Sequence, residues 1–95
     1  MQYISGKIVD LNNNIVPAKY GAVYVDINTE SDIFESTNGL YKIPFMEDST
    51  AIVWFKTKKG KIKVLGFDYT SDLECDCIIR EDEDDKELLS SIIIT

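Results

Sequence analysis

Ile4-Ser5-Gly6-Lys7-Ile8-Val9-Asp10, then Gly21-Ala22-Val23-Tyr24-Val25-Asp26, then Ser36-Thr37-Asn38-Gly39-Leu40-Tyr41-Lys42-Ile43-Pro44 form a series of strand signals divided by turn residues. Apolar side chains recur at every second position, the period of a half-buried strand. Residues 2–10 read as a first strand, with Ile4, Gly6 and Ile8 on one face and Tyr3, Ser5 and Lys7 on the other. Asn12-Asn13-Asn14 and Pro17 mark a loop, because Asn tolerates the left-handed backbone of turns and Pro donates no ladder hydrogen bond. A second strand over residues 20–28 is expected to turn Val23, Val25 and Ile27 inward and Tyr24 and Asp26 outward. Residues 30–36 read as a polar edge strand. Asn38-Gly39 is a hairpin signal, leading into a strand with Leu40 and Lys42 on one face, Tyr41, Ile43 and Phe45 on the other, and Pro44 at its end.

Beyond that stretch, residues 51–57 are nearly continuous in apolar character, as in a central strand covered on both faces. Lys58-Lys59-Gly60-Lys61 closes a hairpin into residues 61–69, and Thr70-Ser71-Asp72 turns the chain into residues 73–80. There Leu73, Cys75, Cys77 and Ile79 alternate with Glu74, Asp76, Ile78 and Arg80. Seven strands at these intervals predict an all-β sandwich over residues 1–80, followed by an acidic and then apolar C-terminal segment, 81–95.

The 95 residues suffice for one domain, whose core must take up most of the apolar side chains. That favours contact through the surface over an enclosed pocket. The net charge is −7, from 17 acidic and 10 basic residues. Such a field repels phosphate backbones and anionic membrane surfaces, so neither nucleic acid nor membrane is an expected partner. The excess is uneven: residues 1–79 hold 8 lysines against 11 acids, residues 80–95 two basic residues against six acids. No apolar run reaches the length of a membrane span, and Met1 leads directly into the first strand without a signal-peptide pattern. Synthesis inside the cell is the expectation, with a place in the virion if the chain is phage-encoded. Cys75 and Cys77 lie two apart on one strand face, a poor geometry for a mutual disulfide, and read as reduced core thiols.

Three pieces carry a family resemblance: Ile4 to Asp10, the small-residue approach Val16-Pro17-Ala18 to Gly21-Ala22-Val23, and Thr37-Asn38-Gly39-Leu40-Tyr41-Lys42-Ile43-Pro44. Over roughly residues 3–80 the chain resembles the carboxypeptidase regulatory-like domain, of the broader transthyretin-like, Ig-like group of seven-stranded Greek-key sandwiches. The Asn run replaces the usual glycine of the first turn, a Gly-Thr pair before the third strand is missing around Thr29-Glu30, and the acidic extension has no counterpart. The resemblance implies a non-catalytic accessory or interaction domain and transfers no functional residue.

The chain has no histidine, which removes the commonest general base and zinc ligand. Glu74 and Asp76 share a strand face and could pair as acid and base, but read as a solvated face. Cys75 and Cys77 offer two thiolates where a closed zinc site needs four ligands. Glu81-Asp82-Glu83-Asp84-Asp85 lacks the alternation and central glycine of a calcium loop, and reads as a hydrated, self-repelling linker. No catalytic residue, metal or cofactor is expected.

Two features point to contact instead. Lys56, Lys58, Lys59, Lys61 and Lys63 gather half of the basic residues on one hairpin, either solvated or facing the acidic segment of this chain, of a neighbour, or of another acidic surface. Leu88, Leu89, Ile92, Ile93 and Ile94 form a sticky terminus whose β-branched residues suit strand addition to this domain or to a neighbour. The expected function is a structural or interaction module docking on a larger assembly, most concretely a bacteriophage capsid-decoration or tail protein. It would meet a protein partner, or further copies of itself, through the C-terminal segment and a sheet edge. The other reading is a carbohydrate- or protein-binding accessory domain of a bacterial surface system, with Trp54 or Tyr24 as a sugar platform.

Overall fold

In the computed structural model residues 2–94 are described, with the backbone alone for Ile93 and Ile94. The chain is mostly strand, ending in one short helix. β1 (Gln2–Asp10) lies between β5 (Leu40–Phe45), antiparallel to it, and β8 (Cys77–Ile79), parallel to it. The second sheet centres on β2 (Ala18–Tyr24) and β6 (Ala51–Thr57), with β7 (Ile62–Phe67) beside β6 at one edge. At its other edge β3 (Thr29–Glu30) and β4 (Phe34–Ser36) both pair with β2. Ile4, Ile8, Tyr41, Ile43 and Cys77 from the first sheet meet Tyr20, Ala22, Tyr24, Val53 and Phe55 from the second in one buried cluster. This is the arrangement of an all-β sandwich.

β1 and β5 carry the alternation expected of them, with Ile4, Ile8, Tyr41, Ile43 and Phe45 buried. The Lys58–Lys61 hairpin forms as expected, with Gly60 at φ 88° and a hydrogen bond from Thr57 N–H to Lys61 C=O of 2.9 Å. β6 is central, but only Ala51, Val53 and Phe55 are fully covered; Ile52 and Trp54 on the other face are half-buried.

The parity of β2 is the reverse of the expectation. Tyr20, Ala22 and Tyr24 face inward, Val23 is half-buried, and Val25–Ile27 leave the strand as an exposed 3₁₀ turn. Tyrosine has an apolar body and a polar tip, and both tips find acceptors on the opposite sheet. Tyr24 Oη donates to Pro44 C=O at 2.5 Å, and Tyr20 Oη stands 3.4 Å from both the N–H and the C=O of Lys42. Those groups lie on the free edge of β5. Pro44 is the last residue but one of β5, opposite Tyr3, close to the end expected there; on an edge strand its missing N–H costs no ladder bond.

Asn38-Gly39 does not close a hairpin. β4 pairs with β2 and β5 pairs with β1, so this turn carries the chain from one sheet to the other. Asn38 Oδ1 accepts the Leu40 N–H at 3.1 Å, Gly39 takes φ 74°, and its C=O accepts the Ile8 N–H at 2.7 Å. Residues 73–80 likewise form less strand than expected: a bridge at Glu74 to Ser5, then β8.

Two turns are held by carboxylates. Asp10 Oδ1 accepts the N–H groups of Asn12 and Asn14 at 2.9 Å each, and Asp68 Oδ1 accepts from Thr70 Oγ1 at 2.6 Å and Thr70 N at 2.8 Å. The backbone bond from Asn14, above all, holds the Asp10 carboxyl below its ordinary value, and the Thr70 hydroxyl does the same for Asp68. A lowered folded pKa adds stability above the ordinary carboxylate range that is lost as pH falls through the folded value. The melting temperature is therefore expected to drop as pH falls below the ordinary carboxylate range, about pH 4. A D10N/D68N chain should show a shallower acid limb, read by circular dichroism melts across that range.

Candidate functional site

Edges dominate the chemistry of this surface. A strand edge presents unpaired N–H and C=O groups, which cost free energy if left without partners and invite pairing with other chains. At several edges and breaks of these sheets a side chain stands where a neighbouring strand would be. Between β3 and β4, Ser31 Oγ accepts the Ala22 N–H at 2.8 Å. Between the Glu74 bridge and β8, Asp76 Oδ1 accepts the Lys7 N–H at 3.0 Å. The tyrosines of β2 serve β5.

The largest such closure is on β7. Residues 81–84 are exposed, as expected of a hydrated segment, but Asp84 and Asp85 also bond to the outer edge of that strand. Val64 N–H donates to Asp85 Oδ2 at 2.9 Å, Ile62 N–H to Asp84 Oδ1 at 3.3 Å, and Asp85 N–H to Ile62 C=O at 2.8 Å. Asp84 Oδ1 also accepts the Lys86 N–H at 3.0 Å, opening α1 (Lys86–Ile94). The terminus expected as a strand is thus helical. Aspartates at its start satisfy N–H groups and favour its dipole, and Leu89 is buried against the outer face of the β6–β7 pair.

The lysine hairpin divides into two sets. Lys61 Nζ donates to the Arg80 and Glu81 carbonyls, and Lys63 Nζ pairs with Glu83 Oε2 at 3.2 Å, so these two meet the acidic segment of their own chain. Lys56, Lys58 and Lys59 are exposed. They border two depressions on either side of Thr57 and Lys58. One, of about 490 Å³, has Val16, Pro17 and Ile79 in its lining; the other, of about 230 Å³, includes Lys19 and Glu35. The sequence shows the lysines, but the apolar lining comes from residues far apart in the chain. Of the terminal residues named as contacts, Leu89 is used internally, Ile92 is half-buried and Leu88 is exposed. The side chains of Ile93 and Ile94 lie outside the described residues.

Cys75 and Cys77 are free thiols, half-buried and buried. Burial pushes the Cys77 thiol up to about 12, against the pull of Lys63, so at neutral pH it packs as an uncharged core group. Tyr41 is raised as well, chiefly by burial, and its hydroxyl donates to the Cys75 carbonyl. Glu74 is exposed, while Asp76 is engaged with the backbone of β1. Among the described residues, no group of three or more Cys, Asp or Glu side chains is placed to hold a metal ion. Trp54 is half-buried on the outer sheet face, above Gly21, where a Cβ would stand 2.9 Å from Cζ2. Tyr24 is 1% exposed and offers no platform. No helix among the described residues is long and apolar enough to cross a membrane. A scan against protein-family models, a search of curated proteins and a search of solved structures each returned no match.

Proposed function

We propose that this chain is a non-enzymatic interaction module that docks on a larger assembly through the end of the sandwich bearing the β6–β7 turn. The observation that carries this reading is the exposed set Lys56, Lys58 and Lys59 beside depressions with apolar lining, on a protein of net charge −7. A locally basic rim around apolar side chains fits an acidic protein surface with an apolar contact at its centre. The non-enzymatic part draws support from the aspartates: Asp10, Asp68, Asp76, Asp84 and Asp85 each accept backbone N–H groups, a role that occupies their lone pairs. The carboxypeptidase regulatory-like, Greek-key form belongs to this proposal, with β3 and β4 counted as two halves of one edge strand among seven. A bacteriophage capsid-decoration or tail protein is its most concrete form, by analogy of fold class. Copurification with particles through a density gradient, compared for the unaltered chain and a K56E/K58E/K59E chain, is the test. Retention of the first and loss of the second is expected; equal retention, or absence of both, contradicts it.

A second reading has one observation in its favour. Trp54 lies in a depression of about 330 Å³ that Ile33, Ile62 and Leu89 line together with Glu30, Ser31 and Lys56, a half-buried indole with polar groups beside it, as a sugar ring would require. Titration with soluble oligosaccharides should then change Trp54 fluorescence, and an unchanged spectrum across a panel of neutral and acidic glycans removes this reading.

A further inference from the structure

We propose that residues 80–94 act as a displaceable strap that blocks self-association through the edge of β7. The inference rests on the contact-module reading for its purpose and on the edge geometry for its content. β7 ends the second sheet, and the groups facing away from β6 at Ile62 and Val64 are met by Asp84 and Asp85 in the place of a strand. Among the described residues the strap meets the body through those carboxylates, the Asp85 N–H on Ile62 C=O, the Lys61 and Lys63 contacts, and buried Leu89. Among the described residues one ion pair ties it to β7, Lys63–Glu83 at 3.2 Å, partly exposed and weak; Arg80–Glu83 at 3.8 Å lies within the strap itself.

With the strap lifted, β7 is self-complementary. An antiparallel copy placed about a twofold axis at Val64 sets Ile62 against Gly66 of the second copy and Lys63 against Leu65, so no like charges stand directly opposite. Ile62, Val64 and Gly66 share the outer face and carry no charge to resist the pairing. The occupant that this edge fits is therefore β7 of a second copy of this chain.

The test alters the strap within the full chain. A D84A/D85A/L89E variant loses both carboxylates and the buried anchor, and its mass in solution, by light scattering, is expected to rise from 10.8 kDa towards twice that with increasing concentration. Adding Val64→Pro removes the central outward donor, at an edge position of the kind where β5 already carries Pro44, and should return the mass to one chain. A strap variant that stays folded and monomeric overturns the proposal. So does a dimer that Val64→Pro leaves intact, and so does loss of the strand circular-dichroism signal, since the strap is assigned to the edge and not to holding the core. Particle binding by Lys56, Lys58 and Lys59 is read separately, so either idea can fail alone.

Discussion

Phe55→Ala is expected to cost about 3–5 kcal/mol, a large share of the roughly 5–15 kcal/mol that holds a domain of this size. Phe55 is fully buried on β6 and meets the Tyr41 ring edge-on, with centroids 4.8 Å apart. Tyr41 belongs to the other sheet, and the Tyr20 ring lies 6.2 Å from Phe55 on the same side. Truncation therefore opens a cavity at the point where the two layers touch, bounded by rings that cannot close over it without moving their bonded hydroxyls. Phe55→Leu, which keeps most of the volume, should cost less than about 1.5 kcal/mol. Urea unfolding midpoints, with unchanged slope, provide the comparison.

Gly6→Ala is expected to cost about 3 kcal/mol or more, for the opposite reason. A Cβ at this position would overlap the Cys75 carbonyl oxygen and stand 2.7 Å from its carbon and 3.0 Å from the Tyr41 ring. Relief requires pushing the 73–77 segment off β1, which breaks the Ser5 N–H to Leu73 C=O and Cys75 N–H to Ser5 C=O bonds, each 2.9 Å. Overpacking of about 1–3 kcal/mol adds to two bonds worth about 1 kcal/mol each. The comparison is Gly66→Ala on β7, where the nearest atom to a new Cβ is Ile52 Cδ1 at 3.7 Å. There the substitution removes freedom from the unfolded chain, and a gain of about 0.4–1 kcal/mol is expected. If both alanines cost the same, the close crossing at Gly6 is not what this position protects.

The readable part of this fold is the part where one residue's neighbours decide its state. β1, β5 and the β6–β7 hairpin follow from alternation and from glycine at φ 88° in the lysine turn. β2 misleads because a tyrosine scores as polar in an alternation pattern, yet Tyr20 and Tyr24 bury their rings once carbonyls on the far sheet accept their hydroxyls. Asn38-Gly39 misleads differently: the local backbone is the same whether the next strand returns beside the last or crosses to another sheet, and that choice is made by β1 and β2. The three isoleucines favour a strand by their branching, but the aspartates that open α1 and the apolar face formed by Ile62 and Trp54 offer a helix a better site. The site is legible to the same degree. Its lysines are plain in the sequence, whereas the work of Asp84 and Asp85 depends on a strand about twenty residues upstream.

That work is the central point of the account: a run of acids reads as solvated charge and serves as the missing neighbour of an edge strand. Amide hydrogen exchange of Ile62 and Val64 in the full chain addresses it directly, because nothing else reaches these outward donors among the described residues. Both amides should exchange much more slowly than that of the exposed turn residue Lys59, and a D84A/D85A chain, kept dilute enough to be monomeric, should lose this protection while the Phe55 amide keeps its own. Exchange at Ile62 and Val64 as fast as at Lys59 in the unaltered chain would contradict the account.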